Sequence, residues 1–307
     1  MSEHFSRRDL LRTAALAAAA LACRAPQAME ARTSPPADPD RRRLAAWTAA
    51  LRAEGLAARA APLGRAAVRV GELAAGTPYV AQTLEAYLRA GGSPRAEPLT
   101  CSLSHFDCVT LVEACLAVAR VAETDGPPSW ERFGREVERM RYRGGERRGY
   151  ASRLHYFSEW IADGERRGLV TDLGAELGGV EDTRPLRFMT EHRGSYPALS
   201  DDAVLAEIGE LERRLDAQPR RLVPTGRIPQ VADRIETGDV LAFATAIPGL
   251  DVTHAAFAYR DRGGVLRVLH APLSGGVVEV TGATLPEYVA RIRRATGLLV
   301  ARPLWGA

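Results

Sequence analysis

The strongest change of pattern along the chain lies at residues 104–113, where polar positions give way to an apolar run. Apolar residues then recur at three-to-four spacing, which predicts a largely buried helix that begins near Cys108. The stretch before it, 91–104, is rich in Gly, Pro and Ser and predicts a loop. Cys108 is therefore expected in the first turn of a helix, where free N–H groups and the helix dipole favour a thiolate. The alternative is a small core residue, which describes most free cysteines.

Further helical periodicity lies on the N-terminal side of this run. It predicts helices at 42–60, 66–74 and 82–90. A turn at 76–80, Gly-Thr-Pro-Tyr-Val, separates the second of these helices from the third. In the helix that begins near Cys108, a narrow polar stripe interrupts an otherwise apolar surface, so we expect this helix to be packed on most of its sides. The stripe consists of Thr110, Glu113 and Arg120.

After residue 238 the pattern changes to short runs that are typical of β-strands. Strands are predicted at 240–244, 252–259, 265–271, 277–281 and 298–302, with one helix at 285–294. Short strands with brief connections predict an antiparallel meander. Helices followed by such a sheet predict an α+β fold, in which the Cys108 helix packs on the antiparallel sheet.

Two histidines lie in the predicted hairpin formed by 252–259 and 265–271. If the five-residue loop 260–264 is symmetric, His254 is directly opposite His270 on one side of the sheet. Directly opposed residues have Cβ atoms about 5 Å apart, close enough for one imidazole to orient the other. A loop with an even number of residues would place the two rings on opposite faces.

The N-terminal residues 1–31 have the features of a bacterial twin-arginine export signal. Arg7 and Arg8 precede an Ala/Leu-rich run at 13–22 that is far too short to cross a bilayer, and a small-residue exit follows. The sequence thus predicts an exported, periplasmic protein. A lipid anchor at Cys23 is a second possibility, although Ala-Leu-Ala-Cys is a poor lipobox. Residues 32–41 are predicted to be a flexible tether, and 42–307 to be a single folded domain.

Composition limits the classes of function. The chain has 307 residues, of which 46% are hydrophobic and 26% charged, as in soluble globular proteins. A net charge of +3 is too small to indicate a nucleic-acid partner. Cys101, Cys108 and Cys115 lie seven residues apart, which is not a zinc-binding spacing. Seven residues of helix span about 10 Å, so Cys108 and Cys115 should not form a disulfide. We therefore predict no metal and no cofactor, and we assign Cys115 to the core.

The segment 125–230 is predicted to be a long insert of helices and loops. Two of its stretches, 140–145 and 152–157, combine arginines with aromatic residues and a histidine. One interpretation is a binding wall for an anionic, sugar-bearing substrate. The other is a solvated, arginine-rich surface with aromatic anchors.

A cysteine at a helix start, followed far downstream by a histidine on a sheet and a polar residue one strand further, is the arrangement of papain-like cysteine hydrolases. Over roughly 76–302 the chain resembles the N-acetylmuramoyl-L-alanine amidase-like family, a branch of the NlpC-type cell-wall cysteine peptidases. The matching motifs occur in order at 76–80, 106–110, 142–145, 152–157, 238–240, 251–254 and 269–271. Relatives in the wider superfamily usually have Ser-Gly where this chain has Val109-Thr110, and Gly-Gly where it has Ala81-Gln82. The insert 125–230 is foreign to the smallest members.

The resemblance implies a papain-like, NlpC-like fold with Cys108 as nucleophile, His254 as general base and His270 as the orienting residue. The substrate would meet a set of residues that includes the acyl-site tyrosine: Tyr79, Asp107, Tyr142, Arg153, His155 and Tyr156. The predicted activity is cleavage of an amide bond in peptidoglycan or its muropeptide fragments through a thioester, with the muramoyl–L-Ala bond as first choice and a monomer as the acting form. The alternatives are a stem-peptide endopeptidase acting on the D-Glu–diamino acid bond, a transferase, or a non-catalytic cell-wall binding protein.

Overall fold

A computed structural model describes residues 38–273 and 276–306 as a mixed α/β protein with an antiparallel sheet. The predicted export signal and Cys23 lie outside this part. The helices are α1 (Asp38–Ala53), α2 (Leu63–Leu73), α3 (Ala86–Arg89), α4 (Cys108–Glu123), α5 (Trp130–Arg141), α6 (Phe157–Arg166), α7 (Phe188–Glu191), α8 (Asp202–Asp216), α9 (Ile228–Val231) and α10 (Leu285–Arg291). The strands are β1 (Val170–Asp172), β2 (Val180–Asp182), β3 (Arg220–Pro224), β4 (Val240–Thr245), β5 (Val252–Arg260), β6 (Leu266–His270), β7 (Glu279–Val280) and β8 (Ala295–Pro303). Within the described part, none of the helices combines the length and apolarity that crossing a membrane requires.

Helix α4 is the centre of the larger core, as its apolar pattern predicts. Every residue from 111 to 122 is buried, and α1, α2, α5 and β5 all pack against the helix. The stripe residues Glu113 and Arg120 are buried as well. Glu113 pairs with Arg141 of α5, while Arg120 donates to the backbone oxygen of Leu304. Glu113 and Arg120 of the polar stripe therefore make buried polar contacts with other parts of the fold and do not face solvent.

The sheet has the order β2-β3-β8-β4-β5-β6-β7, with β1 also paired to β8. The meander β4 to β7 is confirmed, and β8 returns to the other side of β4. Ala242 and Ala255 belong to the core that contains α4. Leu241 and Ala256 belong to a second core on the opposite face, which also contains Leu285 of α10. The sheet is thus covered on both faces.

The hairpin between β5 and β6 has a tighter loop than the sequence predicted. Asp261 N–H donates to the backbone oxygen of Val265 at 3.0 Å, so only residues 262–264 form the loop. The Asp261 carboxylate closes it further by accepting the N–H of Val265 at 3.0 Å. Gly264 takes φ +78°, a left-handed conformation that glycine adopts without strain.

The loop is centred on Gly263 and not on Arg262, and this displacement changes the register. Phe257 pairs with Leu269, so His254 and His270 are not directly opposed and that prediction is wrong. The register differs by an even number of positions, however, and the alternation of side chains along a strand keeps both histidines on the same face. The two rings are therefore still neighbours, as predicted, but in diagonal and not in directly opposed positions.

The end of the predicted tether is part of the fold. Helix α1 begins at Asp38, and Asp40 is buried. Its Oδ1 accepts the backbone N–H of Leu103 at 3.1 Å and the hydroxyl of Ser104 at 2.5 Å. Residues 38–41 are thus not a flexible linker, because they fix the loop that leads to Cys108.

The insert 125–230 extends the main sheet. Strands β1 and β3 both pair with β8, and β2 continues the sheet beyond β3. A third core, which includes Tyr150, Tyr156 and residues of α8, holds the helical part of the insert together. The insert is therefore integrated with the sheet that carries the histidines.

Cys115 is 1% exposed and packs in the α4 core, in the position the sequence predicted. We expect Cys115→Ala to lower the free energy of unfolding by about 1–2 kcal/mol, because the small cavity left behind is only partly filled. Urea unfolding would measure this loss, and the rate per folded molecule should not change. A selective loss of rate at unchanged stability would identify Cys115 as the reactive cysteine.

Candidate active site

Cys108 is the first residue of α4, and the residue before it caps the helix. Asp107 Oδ1 accepts the backbone N–H of Thr110 at 2.7 Å, and Thr110 Oγ1 accepts the N–H of Asp107 at 2.8 Å. This reciprocal capping box explains why a threonine serves at position 110. The structure gives Asp107 a capping role, which differs from the substrate contact that was predicted.

Tyr79, for which the resemblance implies a place in the acyl site, lies in a turn beside the start of the Cys108 helix. Val80 N–H donates to the backbone oxygen of Phe106 at 2.8 Å, and Phe106 N–H donates to Pro78 at 3.1 Å. These bonds align the turn at 76–80 with the residues just before Cys108. Burial raises the pKa of Tyr79, and its neighbours Cys108 and Asp107 raise it further, so its phenol stays protonated.

The electrostatics of Cys108 differ from the expected thiolate. Burial raises the pKa of the Cys108 thiol to about 12, and the carboxylate of Asp107 adds to this rise. The backbone N–H groups of Ala255, Val109 and Cys108 act in the opposite direction. Desolvation outweighs the helix N-terminus, so the thiol is neutral at neutral pH. The N–H groups at the helix start thus lower the pKa, as expected from the position of Cys108, but burial outweighs them and the expected thiolate is not obtained.

The two histidines form a hydrogen-bonded pair. His254 Nε2 and His270 Nδ1 are 2.8 Å apart, and the rings meet edge to face with centroids separated by 5.0 Å. Burial, and then the neighbouring His270, lowers the pKa of His254 to about 3. Burial lowers the pKa of His270 to about 4. Both imidazoles are therefore neutral at neutral pH, and one of them supplies the proton that they share.

Cys108 lies beside the part of β5 that carries His254. The N–H of Ala255, the residue after His254, points at the thiol. The His254 ring stacks on Phe243, with centroids 5.5 Å apart, on the sheet face away from α4. Within residues 38–273 and 276–306, no hydrogen bond joins the sulfur to an imidazole. Because His254 Nε2 is directed at His270, Nδ1 is the nitrogen that is free to accept a proton.

Tyr288 of α10 completes this cluster and was missed in the sequence. Its hydroxyl is 3.2 Å from His270 Nδ1, and its ring stands edge-on to His270 and to Phe243, at 5.1 and 5.5 Å. Burial raises the pKa of Tyr288 to about 12, with smaller contributions from Cys108 and Glu279. The capping-box pattern at 284–287 predicts where α10 begins, and it is the one signal that could have drawn attention to Tyr288.

A comparison with family models assigns residues 69–297 to the family described as AmiA-like, N-acetylmuramoyl-L-alanine amidase-like. The chain belongs to this family. No curated protein matches the sequence. The match covers both the cysteine helix and the histidine strands, so it includes the whole candidate site.

Solved structures agree with the assignment to the amidase-like family. One structure of an N-acetylmuramoyl-L-alanine amidase from Bacteroides uniformis is 30% identical, covers 79% of this chain and 99% of its own, and superposes with a TM-score of 0.71. A second structure with the same description is 28% identical, covers 78% and 98%, and has a TM-score of 0.70. A protein from Bacteroides fragilis described as a candidate xylanase is 32% identical, covers 76% and 98%, and has a TM-score of 0.68.

Two tyrosines that were predicted to bind substrate are core residues of this amidase-like protein. Tyr142 is fully buried and donates its hydroxyl to Glu97 at 2.9 Å. Tyr156 is 1% exposed and donates to Glu212 at 2.6 Å. Neither side chain reaches the surface, so the binding-wall interpretation is wrong for both, and so is the alternative of a solvated surface.

Arg153 and His155 are also engaged within the amidase-like fold. Arg153 is buried, pairs with Glu85 at 2.5 Å and lies over the ring of Tyr150 at 4.8 Å. His155 is half-buried, and its Nε2 is 2.8 Å from the backbone oxygen of Tyr150. Burial lowers the pKa of His155 well below its usual value, and Arg153 lowers it further. The charge of Arg153 is thus satisfied internally, which removes the predicted contact with stem-peptide carboxylates.

Across the part of the chain that the structure describes, no three or more His, Cys, Asp or Glu side chains are grouped so that they could hold a metal ion. The candidate site of this family member is therefore built from a thiol, two imidazoles and two phenols. They are Cys108, His254, His270, Tyr79 and Tyr288.

Proposed function

We propose that the protein is an exported peptidoglycan amidase with a papain-like, NlpC-like hydrolase domain, in which Cys108 is the nucleophile. The observation that carries this proposal is the position of Cys108, which lies at a capped helix start beside the backbone of Ala255 in β5. The preceding residue of that strand, His254, is hydrogen-bonded to His270. An activated thiol, a base and a residue that orients the base are the parts that acyl transfer through a thioester requires.

The proposed reaction begins from a neutral thiol and a neutral imidazole. His254 Nδ1 takes the proton of Cys108 as the sulfur attacks the amide carbonyl, and the backbone N–H of Cys108 helps to hold the oxyanion. The imidazolium then gives its proton to the leaving amine. Water, deprotonated by His254, hydrolyses the thioester and restores the thiol. Substrate binding must bring sulfur and imidazole into contact, since catalytic hydrogen bonds often tighten only in the complex.

We propose the muramoyl–L-Ala amide as the bond that is cut. The support is the family and the two Bacteroides uniformis structures described as N-acetylmuramoyl-L-alanine amidases. The insert no longer supplies a separate argument, because its aromatic residues Tyr142 and Tyr156 are buried. A xylanase-type reaction would need two carboxylic acids at the cleavage site, whereas the side chains here are a thiol and imidazoles. Endopeptidase and transferase activities remain as outcomes of the test below.

Export is the second part of the proposal. It rests on the paired Arg7 and Arg8 and on the short apolar run that follows them, all outside the described residues. Peptidoglycan lies outside the cytoplasm, so a hydrolase that acts on it must be exported. The two parts of the proposal support each other.

The bond specificity can be read from the products of a digest. We expect purified peptidoglycan treated with the protein to release free stem peptides beginning with L-Ala, together with glycan that has lost its peptides, because the acyl half would be the lactyl group of the sugar. Mass spectrometry identifies these products, and the Cys108→Ser variant serves as the control. Disaccharides that still carry L-Ala or L-Ala–D-Glu would mean an endopeptidase. An added amine joined to the lactyl group of the glycan, or to the carboxyl group of D-Glu in L-Ala–D-Glu, would mean a transferase.

A further inference from the structure

We propose that Tyr288 is a positioning residue that keeps the shared proton on His254 Nε2, so that His254 Nδ1 presents a lone pair to the thiol. The inference rests on the proposed function for its effect on catalysis. The hydrogen-bond pattern itself can be measured without any turnover. Tyr288 lies on α10, which is more than thirty positions away from His254 in the sequence and had no assigned role.

The argument begins with His270 Nδ1, which has two neighbours. It is 2.8 Å from His254 Nε2 and 3.2 Å from the hydroxyl of Tyr288. A neutral imidazole carries one proton, so Nδ1 of His270 is either protonated and donates, or unprotonated and accepts. If His270 Nδ1 carries the proton, His254 Nε2 must accept it, and the proton of His254 then sits on Nδ1. In that tautomer His254 cannot take a proton from Cys108.

The phenol of Tyr288 favours the other tautomer, because a phenol is a stronger hydrogen-bond donor than acceptor although its oxygen can do both. A hydroxyl whose pKa is raised stays protonated and can donate to His270 Nδ1. His270 Nδ1 then also accepts Nε2–H of His254, and Nδ1 of His254 keeps its lone pair. The hydroxyl thus contributes one hydrogen bond to the productive tautomer pair, a bond that a phenylalanine could not make.

Glu279 supports the same assignment from the opposite side of His270. The β6–β7 ladder pairs the two residues, and Glu279 Oε1 is 3.8 Å from His270 Nε2. This nitrogen is buried and has no hydrogen-bond partner within the described part of the chain. A carboxylate nearby favours a proton on Nε2 over a lone pair. With its proton on Nε2, His270 offers Nδ1 as the acceptor that Tyr288 and His254 require.

The position of the Tyr288 hydroxyl is fixed by the start of α10. Thr284 N–H donates to Glu287 Oε2 at 2.9 Å, while Glu287 N–H donates to Thr284 Oγ1 at 3.4 Å. Leu285 and Val289 bury α10 against the sheet face that carries both histidines. Helix start and apolar anchors together determine where Tyr288 points, which is the property that a positioning residue needs.

The test is Tyr288→Phe, with Tyr259→Phe as the matched control. The control loses the same hydroxyl group, but from strand β5, where the hydroxyl of Tyr259 donates to Glu72 at 3.0 Å, on the side of the sheet that packs against α2. We expect kcat on a soluble muropeptide to fall by about 10- to 100-fold in Tyr288→Phe with KM nearly unchanged, because only the fraction of correctly protonated His254 changes. The control should keep both constants.

Nitrogen NMR of histidine-labelled protein gives the readout that does not depend on activity. In the unmodified protein we expect His254 to be protonated on Nε2 and unprotonated on Nδ1, and Tyr288→Phe to move it towards a mixture of tautomers. A proton on His254 Nδ1 in the unmodified protein overturns the inference, even if the variant does not fold. An unchanged tautomer and unchanged kcat in folded Tyr288→Phe also overturn it. If the predicted tautomers are found in a protein that cleaves no peptidoglycan, the proposed function fails and the inference about Tyr288 stands.

Discussion

Replacing Cys108 with alanine is expected to lower hydrolysis of purified peptidoglycan by about a thousandfold or more, since a covalent mechanism cannot proceed without its nucleophile. The circular dichroism spectrum and the unfolding midpoint should stay close to those of the unmodified protein. Cys108 is half-buried at the start of α4, and its side chain makes no hydrogen bond to another side chain in the described part of the chain. Release of soluble muropeptides, followed over time, measures the effect.

Cys101 provides the matched control for this experiment. It is also a free, half-buried thiol, seven positions earlier, and burial raises its pKa to about 11. Cys101→Ala should keep nearly full activity because the residue lies away from His254, in the loop before α4. Full activity in Cys108→Ala, or loss of activity in Cys101→Ala alone, would contradict the assignment of the nucleophile.

The largest effect on stability is expected at the ion pair inside the core. Arg141 and Glu113 have 4% and 2% of their side-chain surfaces exposed, and Arg141 Nη2 lies 2.7 Å from Glu113 Oε2. Arg141→Leu should lower the free energy of unfolding by about 3–5 kcal/mol, because it leaves the Glu113 carboxylate buried without its partner. Urea unfolding at neutral pH measures this change.

The double variant Arg141→Leu, Glu113→Leu separates the cost of a stranded charge from the loss of the pair. We expect it to recover much of the stability, since two apolar side chains remove the unpaired carboxylate. Arg69→Leu is the control at the surface, where the pair with Glu54 is exposed and its loss should cost less than about 1 kcal/mol. A double variant as unstable as Arg141→Leu would show that the pair itself contributes the stability.

The parts of the fold that depend on local pattern could be predicted from the sequence. Helix α4 with Cys108 in its first turn follows from its apolar periodicity and the loop before it, and the strands that carry His254 and His270 follow from their alternation. The shared face of the two histidines requires only the parity of the loop. The exact register did not follow, because the loop is centred on Gly263 and not on Arg262, in an arrangement that the Asp261 carboxylate stabilises.

The insert could not be predicted because its partners lie far away along the chain. Tyr142 bonds to Glu97, 45 positions earlier, and Tyr156 bonds to Glu212, 56 positions later. In the sequence alone, a stretch of arginines and aromatic residues resembles a binding surface, because nothing nearby shows that Glu97 and Glu212 bury its tyrosines. The raised pKa of Cys108 was missed for a similar reason, since desolvation depends on the tertiary packing around the helix start.

Strand β8 has a consequence for how the protein acquires its structure. It pairs with β1, β3 and β4, and so joins strands from the insert to those of the histidine meander. Because it follows these three strands in the sequence, it leaves the ribosome after its partners have been synthesised. Folding of the sheet is therefore expected to be slow and largely post-translational, since long-range pairings close late. A nascent chain that stops before residue 295 would expose three unpaired strand edges, and it would be a substrate for chaperones and proteases.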